Sequence, residues 1–173
     1  MNKTGLGILL TALILIPAQG VFFNNMVLFN VAVPIVFIYI IITLPITYSS
    51  VLSTSIGFVC GLAVDILSDT PGLNALCCTL LAFMQRGIFH LYVASDVDLA
   101  EQRPTPRIMG VPVFMKYAIT MTAIYCLMLF AVEAMQIFSL RLFVLRVVGS
   151  TIYSFIIIYA IASLTVSTRE KRL

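Results

Sequence analysis

The chain has 173 residues, 61% hydrophobic and 10% charged, with a mean hydropathy of +1.12 and a formal net charge of +3. Soluble domains carry about 25% charge, so the composition excludes a water-soluble globule, and so small a positive excess argues against a nucleic-acid partner. Apolar runs of about 20 residues recur, long enough for helices crossing a core of about 30 Å, and they lack the alternation of a membrane β-barrel.

In chain order the sequence predicts an all-α integral membrane protein, one domain over 1–173 with six transmembrane helices. Lys3, an apolar stretch to Ile16 and then Pro17-Ala18-Gln19-Gly20 have the outline of a secretory signal. The apolar run resumes at Val21-Phe22-Phe23, so it reads as a retained first span, about 5–23. Asn24-Asn25 turns the chain into a second helix, about 26–44, interrupted by Asn30 and Pro34 and closed by Pro45. The third span, about 48–67, opens on hydroxyls (Ser49, Ser50, Ser53, Thr54, Ser55) that call for close protein contact. The fourth, about 73–93, carries Arg86 with His90 one turn later. A charged, proline-bearing loop over 94–112 follows, then spans at about 113–135 and 143–166 and a basic tail over 167–173. Positive charge gathers at the N-terminus, in the 94–112 loop and in the tail, which places both ends in the cytoplasm. Cys60, Cys77, Cys78 and Cys126 fall within spans and lack the spacing of a metal site, so no metal or cofactor is expected.

The most informative stretch is Gly57 to Ala82. Gly57, Gly61 and Asp65 recur every fourth residue, giving one helical face a small-residue groove with an acid at its end. Ser68 to Gly72 supplies a tight turn. By helical rise, Asp65 lies roughly 5 Å below this turn and Arg86 roughly 20 Å below it, which separates them in depth. Arg146, expected near the same face as Asp65 together with Glu133 and Arg141, is the better counter-ion. Asp65 either fastens helices together or meets a ligand or partner. Arg86 reads as an interfacial anchor or a partner contact. No nucleophile–base set, metal set or phosphate loop is found, and a non-enzymatic protein is expected.

The run Gly57-Phe58-Val59, Gly61, Asp65, Ser68, Gly72, Ala75-Leu76, with Leu44-Pro45 before it, resembles the MreD family of bacterial rod shape-determining membrane proteins. The likeness extends over roughly 34–92; elsewhere it is one of hydropathy. The chain departs from many relatives in having no tryptophan and in Ile35 after Pro34. The resemblance implies a scaffold of the cell-elongation (rod) complex in the bacterial inner membrane, with both ends cytoplasmic. Implied partners are a bitopic MreC-like protein, a RodA-type polymerase with its transpeptidase, MreB-like filaments and membrane lipids. It also implies a fold similar to the substrate-binding subunits of energy-coupling-factor transporters, so a vitamin-binding transporter subunit is the alternative. Expected structural or partner-binding positions are Gly57, Gly61, Asp65, Gly72, Ala75, Arg86 and Arg146, with a groove on the glycine face receiving the partner's helix.

Overall fold

The computed structural model describes residues 3–23, 26, 32–70, 72–93, 103–135 and 140–170. In chain order its helices are α1 (Lys3–Val21), α2 (Tyr39–Ile42), α3 (Ser50–Ser68), α4 (Leu73–Tyr92), α5 (Pro106–Met109), α6 (Val111–Ala134) and α7 (Leu140–Glu170). Four stretches are long and apolar enough to cross a membrane: Ser50–Ser68, Leu73–Tyr92, Val111–Ala134 and Leu140–Ser163. A shorter apolar stretch, Gly7–Val21, lies in α1. The chain is a multi-pass helical membrane protein.

Of the helix expected over 26–44, the described residues are helical only in the single turn α2. Residues 32–36 form no helix, and the chain from Ile35 to Leu44 lies in the centre of the protein, with Val36, Ile38, Ile41, Ile42 and Leu44 wholly inaccessible. The local reasons are legible. Pro34 has no N–H and disfavours helical backbone at the residue before it. Val33, Ile35, Val36 and Ile38 are β-branched and suit an extended chain. Non-helical backbone at membrane depth is tolerated where protein encloses it and meets its hydrogen bonds, and here the surrounding helices do both.

The enclosure is built from helix pairs. α3 and α4, joined by the turn at 69–72, form a hairpin and are the most extensively packed pair. α6 lies against both α4 and α7, and α1 packs on α3. A Cβ added at Gly20 would stand 2.7 Å from Cβ of Leu67, so the C-terminal ends of α1 and α3 lie together. At the opposite end of α1, a Cβ at Gly7 would meet the Arg103 guanidinium at 3.3 Å. The core is filled by Phe37, Phe89, Phe114, Tyr117 and Tyr125, with edge-to-face contacts between Phe37 and Tyr125 and between Phe89 and Tyr117. All four cysteines are buried and free.

The boundaries shift at the loops. α6 begins at Val111, inside the 94–112 loop, and the single turn α5 precedes it; residues 94–102 of that loop lie outside the described residues. α7 runs to Glu170, through the first residues of the expected tail.

Candidate functional site: a carboxylate-capped hairpin and an enclosed non-helical segment

Asp65, in the last turn of α3, faces inward, 4% exposed. The chain then reverses through Asp69, in the left-handed region at φ 54°, and Gly72, at φ 77°. Aspartate tolerates the first conformation and glycine adopts the second without cost, which makes so short a reversal possible. The reversal points the N-terminus of α4 at the carboxylate. Gly72 has no side chain to cap α4, and Asp65 performs that task from across the turn. Its Oδ1 accepts from the Asn74 backbone N–H at 3.0 Å, from Asn74 Nδ2 at 3.0 Å and from the Thr70 hydroxyl. Its Oδ2 accepts from the Ala75 N–H at 2.8 Å. A carboxylate offers about four lone-pair positions, and four donors engage this one. The partial positive charge of the helix start balances its negative charge.

The network continues inward. Asn74 Oδ1 accepts from the Tyr125 hydroxyl at 2.6 Å, and the Tyr125 ring packs edge-on to Phe37. Asp65, Asn74 and Tyr125 thus connect α3, the turn, α4 and α6 to the buried chain around Phe37.

The expected pairing of Asp65 with Arg146 is not what forms. Arg146 Nη1 donates to Glu133 Oε1 at 2.7 Å, joining α7 to α6. The physical reason is local: α4's first-turn donors already fill the carboxylate, whereas Glu133 is partly exposed near the end of α6.

The glycine face is also closed. A Cβ at Gly61 would lie 2.6 Å from both Cα of Ala75 and the carbonyl oxygen of Asn74, and one at Gly57 would lie 2.8 Å from Cβ of Ala82 and from the Cys78 carbonyl oxygen. The groove expected to receive a partner's helix is filled by α4 of the same chain. Ala75 serves twice, its backbone N–H on Asp65 and its Cα under Gly61. Arg86 is turned to an internal use as well: Nη2 donates to the Ile46 carbonyl at 2.9 Å. This fits its separation in depth from Asp65. His90 is exposed, its ring edge-on to Phe89.

Residues that sequence reasoning passed over complete the arrangement, because they hold the non-helical segment. Val33 N–H donates to Ser150 Oγ at 3.0 Å, Ile35 N–H to Ser154 Oγ at 2.7 Å and Val36 N–H to Gln19 Oε1 at 2.8 Å. Gln19 returns a bond from Nε2 to the Pro34 carbonyl at 2.9 Å, so its amide pairs with the chain as a neighbouring strand would. At the far end Gln85 Nε2 donates to the Leu44 carbonyl at 3.0 Å, one residue before Arg86 meets Ile46. The available signal was polar residues inside apolar helices: Gln19, Gln85, Ser150 and Ser154 are all buried, and such groups need partners in hydrocarbon.

These features define a class: a multi-pass helical membrane protein with a buried, side-chain-bonded non-helical segment and a hairpin capped by a carboxylate. Comparison with protein-family models, with curated proteins and with solved structures finds no match. Among the described residues, no three histidine, cysteine, aspartate or glutamate side chains gather as a metal site would require.

Proposed function

We propose that the chain is a non-enzymatic scaffold of the cell-elongation complex in the bacterial inner membrane, similar to MreD proteins. In this reading it crosses the membrane six times with both ends in the cytoplasm, in a fold like that of the energy-coupling-factor substrate-binding subunits. It binds an MreC-like bitopic partner beside a RodA-type polymerase and its transpeptidase, with MreB-like filaments on the cytoplasmic side. Support for six crossings comes from adding α1 and the enclosed 32–46 segment to the four long helices.

The observation that carries the proposal is the use made of the residues behind the resemblance. Gly57, Gly61, Asp65, Gly72 and Ala75 form one mechanical unit, in which the glycines let α4 approach and the carboxylate fixes its start. A rigid hairpin with its polar groups engaged internally suits a scaffold whose outer surfaces are read by partners. Because α4 fills the glycine face, the partner's helix docks on an outward face.

The test is a tagged pull-down from membranes in mild detergent. Recovery of an MreC-like protein and wall synthases is the expected result. Asp65→Ala should lose them in proportion to its loss of folded protein. Recovery of paired ATPases with a membrane coupling subunit would overturn the proposal in favour of a transporter subunit.

A further inference from the structure

A small cavity lies where the chain leaves its enclosed segment and approaches α3, lined by Pro45, Ile46, Ser53, Ala82, Gln85 and Arg86 among others. Its volume is about 10 Å³, the space of about one water-sized sphere. We propose that it is the binding site of a single water molecule, which bridges Ser53 Oγ on α3 to Gln85 Oε1 on α4.

Unused hydrogen-bonding capacity at two buried side chains is the first argument. Ser53 is 6% exposed and Gln85 2%. Ser53 stands one turn before Gly57, on the face of α3 that packs against α4. The next two residues return their hydroxyls to their own helix, Thr54 to the Ser50 carbonyl at 2.6 Å and Ser55 to the Val51 carbonyl at 2.8 Å. Ser53 makes no such bond, and its hydroxyl has no partner among the described residues. Gln85 donates from Nε2 to the Leu44 carbonyl at 3.0 Å, and its Oε1 receives no donor from the described residues. Polar atoms so deeply placed are bonded to protein or to ordered water. Neither oxygen is sealed in by its surroundings, and the cavity is the space that both residues line.

The chemistry of the lining selects the occupant, which is the second argument. The Arg86 guanidinium, held at the Ile46 carbonyl by Nη2, disfavours a cation. Gln85 Oε1 is an acceptor and disfavours an anion. A neutral molecule that both donates and accepts remains, and the volume admits nothing larger than water. Water donates to Gln85 Oε1 and exchanges a bond with the Ser53 hydroxyl, and Arg86, with donors beyond the one on Ile46, offers a third. Buried waters typically make two to four such bonds. With the water in place both ends of the Gln85 amide are engaged, one on Leu44 and the other, through water, on Ser53. The end of the enclosed segment is thereby fastened to α3 as well as to α4.

The experiment is NMR of the full chain, deuterated and in detergent micelles, reading magnetisation transfer between water and the side-chain N–H groups of Gln85. The wild type should show a cross-peak of opposite sign in laboratory-frame and rotating-frame spectra, which separates a resident water from proton exchange. Ser53→Ala removes the hydroxyl that would otherwise relay the signal and leaves room for the water, so the cross-peak should remain. Ser53→Val puts methyl groups in place of the hydroxyl and narrows the cavity, so the cross-peak should disappear and the thermal midpoint fall. If Ser53→Val does not fold, the wild type and Ser53→Ala carry the test. Absence of the cross-peak in the wild type, its loss in Ser53→Ala, its persistence in Ser53→Val, or a Ser53→Val midpoint above that of the wild type, as filling a dry void would give, would each overturn the proposal.

Discussion

Asp65 and Arg146 illustrate how differently two charged residues of one membrane protein can matter. Asp65 is buried and receives four hydrogen bonds, two of them from backbone N–H groups of α4. Asp65→Asn keeps the shape but sets an amide donor against a donor at one of its two oxygens. Loss of a charge-assisted bond in a buried site costs about 2 kcal/mol, and the thermal midpoint in detergent should fall accordingly, further still for Asp65→Leu. The Arg146 and Glu133 side chains are 40% and 48% exposed. Such pairs contribute at most about 1 kcal/mol, so Arg146→Ala should leave the midpoint nearly unchanged. A larger loss for Arg146→Ala than for Asp65→Asn would restore Arg146 as the counter-ion of Asp65. The importance of Asp65 was legible in the sequence as an acid on a small-residue face; its partner was not. Capping from across a turn depends on the direction in which α4 starts, which Asp69 and Gly72 set through their backbone angles.

At the scale of helices, the α3–α4 hairpin depends on absent side chains. Gly61→Ala places a methyl 2.6 Å from the Ala75 backbone, which has no freedom to rotate away, so the helices must separate at a cost of about 1–3 kcal/mol. Gly57→Ala meets both a movable neighbour, the Ala82 methyl, and an immovable one, the Cys78 carbonyl, each at 2.8 Å. Adding Ala82→Gly to Gly57→Ala should therefore recover part of the lost stability and not all of it, as a double-mutant cycle on the thermal midpoint would measure. Full recovery would mean that only the methyl contact limits the approach. This hairpin was the most legible part of the fold, since a four-residue glycine spacing followed by a turn specifies close packing locally. What the spacing leaves open is the identity of the other helix, and the nearest one in sequence took the place assigned to a partner. Helix α2 shows the opposite case. Its apolar run has the length of a span; Pro34 and the β-branched residues weaken a helix there locally, but the side chains that hold 33–36 out of one lie elsewhere in the chain, outside any window over 26–44.

For the molecule as a whole, stability rests on the bonds that surrounding helices make to the enclosed segment. Gln19→Leu leaves the Val36 N–H and the Pro34 carbonyl without their partner, and Ser154→Ala does the same to the Ile35 N–H. Each buried orphan costs about 1–3 kcal/mol. Both substitutions loosen the same few residues, so their effects should be non-additive. Hydrogen exchange of a peptide covering 32–38 is the measurement: each variant should speed it well beyond any change in α6. Equal acceleration throughout the protein would mean that the segment does not open on its own. The same bonds have a consequence for biosynthesis. Val33 and Ile35 find their acceptors 117 and 119 residues later, on α7. At about 5–20 residues per second the ribosome delivers those serines on the order of ten seconds after the segment itself. In hydrocarbon a chain without such acceptors satisfies its backbone by coiling. Until α7 arrives, the backbone at 33–36 is therefore expected to satisfy itself within a helix. A chain halted at Met135 should show helical backbone chemical shifts at Val33 and Ile35, and the finished protein non-helical ones.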